Sequence, residues 1–460
     1  IYLKNPTNWK RRLRNNLELL DMEFKENFEK YKLKELSDIS SSKRIFASEY
    51  KEKGIPFYRS KEIIEKQSNK RISNKLFISK ERYIEIKNKY GVPSCGDLLL
   101  TSVGTLGVPY LVKNEEFYFK DGNLTWFRNL KQINKSYLYY WFFSPEAKYQ
   151  ITSKQIGSTQ KALTISNLNN FEILIPTRAI QEKIVTILKS LDSKIEINNK
   201  IISNLESQAQ AIFKSWFVDF EPFQDGNFVE SELGMIPEGW EVKPIGELLD
   251  FDIGGGRGKE KPQEKYLIPA YVIRGTDIPD SKFGYFNMDN YRYHTESNLK
   301  NRRLQVGDII FESSGGSTNQ DLGRMLLVTD ELLNEYNNDV ICASFCKLIR
   351  INDSSIRWFV YNLLEYSYRN KILTKYEVKS TGISNFSFTI FKDDFKIAVP
   401  DRKTMERYFN VTGNNINLSA KLGIQNTKLA ELRDALLPKL MAGEIDVSNI
   451  KIEGEEVKNE

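Results

Sequence analysis

Residues 181–217 read QEKIVTILKSLDSKIEINNKIISNLESQAQAIFKSWF, and within them Ile184, Leu188, Leu191, Ile195, Asn198, Ile202, Leu205, Ala209, Ile212 and Trp216 fall at alternating steps of four and three. An apolar period of about 3.5 residues kept over several heptads is the seam of a coiled coil. A second stretch repeats the rhythm with Val411, Asn415, Leu418, Leu422, Gln425, Leu429, Leu432 and Leu436. The two patterns superpose with a constant shift that brings Asn198 into register with Gln425. A lone polar seam position fixes register at some cost in stability. At ~1.5 Å per residue the first helix should be about 50 Å long. Two unrelated amphipathic core helices are the plainer alternative. Equal phase, equal length and equal placement after a proline-ended strand favour a pair.

Working outward, each helix closes a copy of the same pattern, and such internal repetition governs architecture. Tyr31–Leu36 opens one copy and Trp240–Ile245 the other. Ile55-Pro56 precedes Arg59, Ser60 and Lys61, as Ile268-Pro269 precedes Arg274, Gly275 and Thr276. Gly96-Asp97 leads a strand into Thr101-Ser102-Val103-Gly104-Thr105, as Gly307-Asp308 leads one into Glu312-Ser313-Ser314-Gly315-Gly316. Ile165–Pro176 parallels Ile390–Pro400. Both alternate late, as half-buried strands do, and both stop at a proline. The expected class is α/β (α+β): two similar domains, separated by two long helices pairing as an antiparallel coiled coil, with a pseudo-twofold internal repeat.

The chain has 460 residues, 40% of them apolar, and a net charge of +6 from 67 basic against 61 acidic residues. That suits two or three globular domains and mildly favours a polyanionic partner. The three cysteines, Cys95, Cys342 and Cys346, make no disulfide framework. Cys342 and Cys346 fit one helical turn, but with no further Cys or His nearby they read as buried thiols, so no metal site is expected. The single histidine, His294, leaves little room for triad or HNH-type chemistry, and its polar surroundings suggest a surface or DNA-facing position. Gly254–Lys259 is not a phosphate-binding P-loop: Ile253 and Glu260 stand where Gly and Ser or Thr should, so a flexible basic loop carrying Arg257 and Lys259 is the reading. Asn5-Pro6-Thr7 is no amino-methyltransferase motif, and Pro279-Asp280 with Glu377-Val378-Lys379 resembles a nuclease pattern only across a long gap. No apolar run approaches the ~20 residues of a membrane span. With no signal-peptide core at residues 1–14, the expected location is the cytoplasm.

The segments around the helices resemble those of the specificity subunits of type I restriction-modification systems. They are Ile175-Pro176 with Gln181–Val185, Leu191–Ile195, Ala211–Phe220, Leu233–Trp240 and Leu436–Val447. The resemblance covers about residues 31–447, with two departures: a basic lead over residues 1–30, and Arg402–Glu406 in place of a Gln-Glu start to the second helix. It implies target-recognition domains at 31–176 and 237–400, long-helix regions at 177–236 and 401–447, and an acidic tail at 448–460. It further implies a non-catalytic chain that binds double-stranded DNA with a bipartite target. The partners would be two methyltransferase subunits and restriction/motor subunits. S-adenosylmethionine, ATP and Mg²⁺ would belong to those partners, with no cofactor here. The recognition half of a single-chain restriction-methylation enzyme and a non-specific coiled-coil adaptor are the alternatives.

Base-reading residues do not carry over, because recognition domains vary. The matched polar loops nominate Arg59, Ser60, Lys61, Lys154, Gln155, Ser158, Thr159, Gln160 and Lys161 in the first domain. In the second they nominate Arg257, Lys259, Arg274, Thr276, Lys379, Ser380, Thr381 and Asn385. Gln suits adenine, while Lys reaches guanine or phosphate. The segment 153–161 is taken as a loop between strand-like runs, with 375–385 as its counterpart. Thr101, Ser102, Ser313 and Ser314 are read first as turn caps. Trp216, Phe217 and Phe220, with the outer helix faces, are candidates for subunit docking.

Overall fold

The computed structural model describes residues 28–68, 72, 74–157, 161–315, 320–336, 338–380 and 382–451. The first half carries β1 (Glu29–Lys32), β2 (Asp38–Ser40), β3 (Ile55–Tyr58), β4 (Leu76–Ile78), β5 (Leu98–Thr101), β6 (Pro109–Leu111), β7 (Tyr118–Phe119), β8 (Leu124–Arg128) and β9 (Glu172–Ile175). A hairpin of β10 (Phe228–Ser231) and β11 (Gly234–Pro237) follows the first long helix. The second half carries β12 (Glu241–Pro244), β13 (Phe251–Gly254), β14 (Ile268–Ile273), β15 (Tyr291–His294), β16 (Ile309–Glu312), β17 (Ser314–Gly315), β18 (Met325–Leu327), β19 (Asp339–Cys342), β20 (Cys346–Arg350), β21 (Glu377–Ser380), β22 (Ile383–Phe386) and β23 (Lys396–Val399).

The two halves share one topology. Sheet order β2-β8-β5-β6 recurs as β13-β20-β16-β18, and β4-β3-β7 recurs as β15-β14-β19. In both three-stranded sheets one neighbour is antiparallel and the other parallel. The first strand of each half pairs antiparallel with its last, β1 with β9 and β12 with β23, so each module is closed on itself. The period of two decides which core each residue enters. Leu98 and Leu100 face one core and Leu99 the other, as Ile309 and Phe311 oppose Ile310. Second-half strands β17, β21 and β22 form an extra sheet.

The chain forms two compact units, Ile1–Asp192 with Glu431–Glu460, and Ser193–Ala430. The long helices, Arg178–Phe217 and Arg402–Met441, have 40 residues each, or about 60 Å. Within the first unit Arg433 donates to Asp192 at 2.7 Å and Lys183 to the Ser448 carbonyl at 2.6 Å. Within the second, Asn198 donates to Asn426 at 2.9 Å, and the Trp216 and Tyr408 rings lie 5.8 Å apart. Numbers rise on one helix as they fall on the other, so the segments in each unit are antiparallel.

On the first helix Ile184, Leu188, Ile195, Asn198, Ile202 and Ala209 are buried, with Leu191 and Leu205 half-buried. The second helix departs from the sequence reading by one residue. Val411, Leu418 and Leu432 are 54%, 45% and 48% exposed, Gln425 is exposed, and Leu422, Leu429 and Leu436 are half-buried. The buried stripe is Thr412, Ser419, Gly423, Asn426 and Leu437. Close backbone approach is the reason: a Cβ on Gly423 would stand 2.7 Å from the Gly284 nitrogen, and Thr427 Oγ1 donates to the Gly284 carbonyl. Leucines in that stripe would drive the helix off the loop at 283–285. Among the described residues no helix is long and apolar enough to cross a membrane.

Candidate nucleic-acid interface

The turn after β5 is pinned by main-chain bonds. Ser102 N donates to the Asn123 carbonyl at 2.8 Å, Leu163 N to the Ser102 carbonyl at 2.9 Å and Gly104 N to the Lys161 carbonyl at 3.0 Å. Ser60 Oγ also donates to the Asn123 carbonyl, at 3.1 Å. Ser60, the 101–105 turn and Lys161 therefore share one edge of the first module.

The second module builds the same edge. Ser313 N donates to the Phe345 carbonyl at 2.9 Å and Phe386 N to the Ser313 carbonyl at 2.8 Å. Ser314 Oγ donates to Asn385 Oδ1 at 2.8 Å. A Cβ on Gly275 would lie 2.6 Å from Glu312 Oε1, so the Arg274–Thr276 turn presses on the end of β16. The glycine loop joins from the other side, Gly255 N donating to the Cys346 carbonyl at 2.8 Å. Arg257, Lys259, Thr276, Lys379 and Asn385 are exposed. Ser158, Thr159, Gln160 and Thr381 lie outside the described residues, and of Ser380 only the backbone is described.

The matched arginines are tied to carboxylates three residues on. Arg59 N donates to Glu62 at 2.8 Å and its guanidinium bonds the same carboxylate at 2.5 Å; Arg274 does so to Asp277 at 2.9 Å both times. The Glu62 and Asp277 side chains are 1% and 9% exposed. These carboxylates hold both guanidinium groups above their usual pKa, against the pull of partial burial. Lys61 sits 3.9 Å from Glu65.

Several sequence readings are corrected. Lys154 ends a helix, Pro145–Lys154, and bonds the Asn170 carbonyl at 3.0 Å; half-buried Gln155 caps that helix. Segment 153–161 is therefore not flanked by strands: an isolated bridge joins Ile156 to Ala162, and a helix follows at Ile165–Asn169. The glycine loop is seated, not flexible, since a Cβ on Gly255 would lie 2.1 Å from the Ala343 carbonyl oxygen and one on Gly258 2.6 Å from His294 Cε1. His294 is fully buried; burial lowers its pKa, with Asn298 beside it opposing, and neither ring nitrogen makes a well-formed hydrogen bond. Cys342 ends β19 and Cys346 begins β20, consecutive strands of different sheets rather than one helical turn, and burial pushes the Cys342 thiol up to about 12. Trp216, Phe217 and Phe220 belong to an aromatic core. Phe217 is 9% exposed with its ring 4.8 Å from that of Tyr408, and half-buried Phe220 lies 5.5 Å from Trp240. At the helix end these rings seat the helix on its own module, which takes Phe217 off any docking surface.

At two positions the structure adds what the sequence reading lacked. Gln181 is buried, accepts from Asn134 N at 2.7 Å, and donates to the Gln132 and Pro176 carbonyls at 3.1 and 2.9 Å. It thus fixes where the first long helix starts. Phe345, at the centre of the second edge, is 54% exposed.

The model of the type I restriction modification DNA specificity domain matches residues 25–207. The type I restriction enzyme MjaIX specificity subunit of Methanocaldococcus jannaschii is 28% identical over 374 residues, 77% of this chain and 79% of that protein. The HindI specificity subunit of Haemophilus influenzae is 22% identical over 354 residues, covering 65% and 74%. Among solved structures, the S subunit of a type I restriction-modification system from M. genitalium has a TM-score of 0.52 at 15% identity, covering 90% of this chain and 96% of that one, a likeness of fold. Over residues 25–207 the chain matches the type I restriction modification DNA specificity domain, and over most of its length it is similar to the specificity subunits of type I restriction-modification systems.

Proposed function

We propose that this chain reads a bipartite double-stranded DNA target with two recognition domains, residues 31–176 and 237–400, and presents that DNA to two methyltransferase subunits and to restriction/motor subunits. The observation that carries this reading is the repeated edge. The same main-chain bond, from Ser102 to Asn123 and from Ser313 to Phe345, organises matched polar turns in both modules. Phosphate contacts from groups such as Lys161, Arg257 and Lys379 set position, and base edges set identity. S-adenosylmethionine, ATP and Mg²⁺ act on the partner subunits. Docking is supported by apolar residues that the helix seam leaves uncovered, among them Ile197 at 51%, Val411 at 54% and Leu418 at 45% exposure. A partner helix covering them would remove that surface from water.

The test is the methylation map of DNA modified by this chain co-expressed with its methyltransferase subunit. Methyladenine in one split motif with a fixed spacer is expected. Unsplit methylation, or none despite a stable complex, would overturn the reading.

A further inference from the structure

Phe345 immediately precedes β20, as Asn123 immediately precedes β8. The two positions are equivalent in the repeat and accept the same bond, from Ser313 N at 2.9 Å and from Ser102 N at 2.8 Å. Phe345 takes two more, from Ser314 N at 3.0 Å and Ser313 Oγ at 3.2 Å. Its carbonyl is thus held by three donors, yet the residue is 54% exposed while Cys346 beside it is buried. The ring supports no core. On one side stands the glycine loop carrying Arg257, tied down through the Cys342 and Cys346 carbonyls. On the other stands the β21–β22 hairpin carrying Lys379, tied through Ser314 and Asn385. Cationic groups suited to phosphate therefore flank an exposed aromatic ring on a rigid mount, with Val378 and Ile383 of the hairpin also exposed.

The major groove displays one apolar group on a base edge, the thymine C5-methyl; every other feature there is a hydrogen-bond donor or acceptor. A phenyl ring packed against a base edge there gains most from that group. We infer that Phe345 is a specificity-determining residue that selects a T·A pair in the half-site read by residues 237–400, by packing on the thymine methyl. The inference rests on the proposed function, and it adds which base class one position reads and with which side chain. Asn123, half-buried at the equivalent place, offers amide chemistry instead, so the two domains read differently there.

The test uses the chain assembled with its methyltransferase subunits on duplex DNA carrying the motif from the methylation map. Uracil replaces each thymine in turn, which deletes only the methyl group. One position should weaken binding about fourfold, the factor carried by burying one methyl. Phe345→Ala should bind the thymine duplex that much more weakly and lose the discrimination, while Phe345→Leu keeps most of it. Uracil tolerated at every position, no thymine in the motif, or undiminished discrimination in Phe345→Ala would each overturn the inference. The proposed function fails separately, at the wild-type methylation map.

Discussion

Asn198 Nδ2 donates to Asn426 Oδ1 at 2.9 Å, and both residues are fully buried. Asn426 in turn donates to Asn199 at 2.8 Å, and Asn198 also reaches the exposed Gln425 at 2.9 Å. Removing one buried partner leaves the other unsatisfied, a cost of about 1–3 kcal/mol. Asn426→Ala should therefore lower unfolding free energy by that amount, while Gln425→Ala should change it by less than about 0.5 kcal/mol. Denaturant titrations of the two variants check the seam directly, and equal losses would restore the register read from the sequence.

The second long helix separates stability from assembly. Gly423→Leu places side-chain atoms where Gly284 already sits and should destabilise the chain by several kcal/mol, more than the ~1–3 kcal/mol of ordinary overpacking. Leu418→Lys replaces a side chain 45% exposed and should leave the melting temperature within a degree or two. If partner helices cover that face, the same substitution should abolish co-purification of the methyltransferase subunit. Retained co-purification would move the docking surface elsewhere.

The paired arginines should act on folding before DNA. Arg59→Ala leaves the buried Glu62 carboxylate without its guanidinium, a loss of about 1–3 kcal/mol. The salt dependence of DNA binding should stay as in wild type. Lys379→Gln should do the reverse, leaving stability unchanged and reducing the slope of log K against log salt by about one. Binding isotherms at several salt concentrations, run beside thermal melts, distinguish the two.

His294 gives a pH signature. Burial lowers its pKa below the ordinary histidine value of about 6.5, so the unfolded chain takes up the proton first. Its contribution to stability is whole above that value and is lost as pH falls through it towards the folded pKa. As the chain has no other histidine, melting temperature should fall between pH 7 and pH 5.5, and His294→Gln should flatten that interval. A wild-type melt that does not move there would mean the folded ring takes up its proton as readily as the unfolded one.

What could be read in advance depended on whether bulk or closeness decides burial. On the first long helix the buried positions hold Ile184, Leu188, Ile195 and Ile202, and hydropathy points inward. On the second, Thr412, Ser419 and Gly423 are buried because the backbone at Gly284 comes close, and hydropathy points to Leu418 instead. The matched edges were legible as a repeat of turns, since polar and glycine residues recur at equivalent places. Their arginines carried a second signal that was passed over: Glu62 three residues after Arg59 spells a helix cap, and Asp277 stands at the same spacing after Arg274. Phe345 carried no signal in its own sequence context; only its pairing with Asn123 through the repeat exposes it. The helix start at Gln181 was visible as a motif, but its reason, three bonds to neighbouring backbone, was not.

The edges at Ser102–Asn123 and Ser313–Phe345 are held by amides and carbonyls that nearly every residue type supplies. Side chains there can consequently be exchanged without remaking the scaffold. Under the proposed function, a lineage would move to a new target by a few point substitutions on either edge, one half-site at a time, which makes turnover of specificity cheap and turnover of architecture unnecessary.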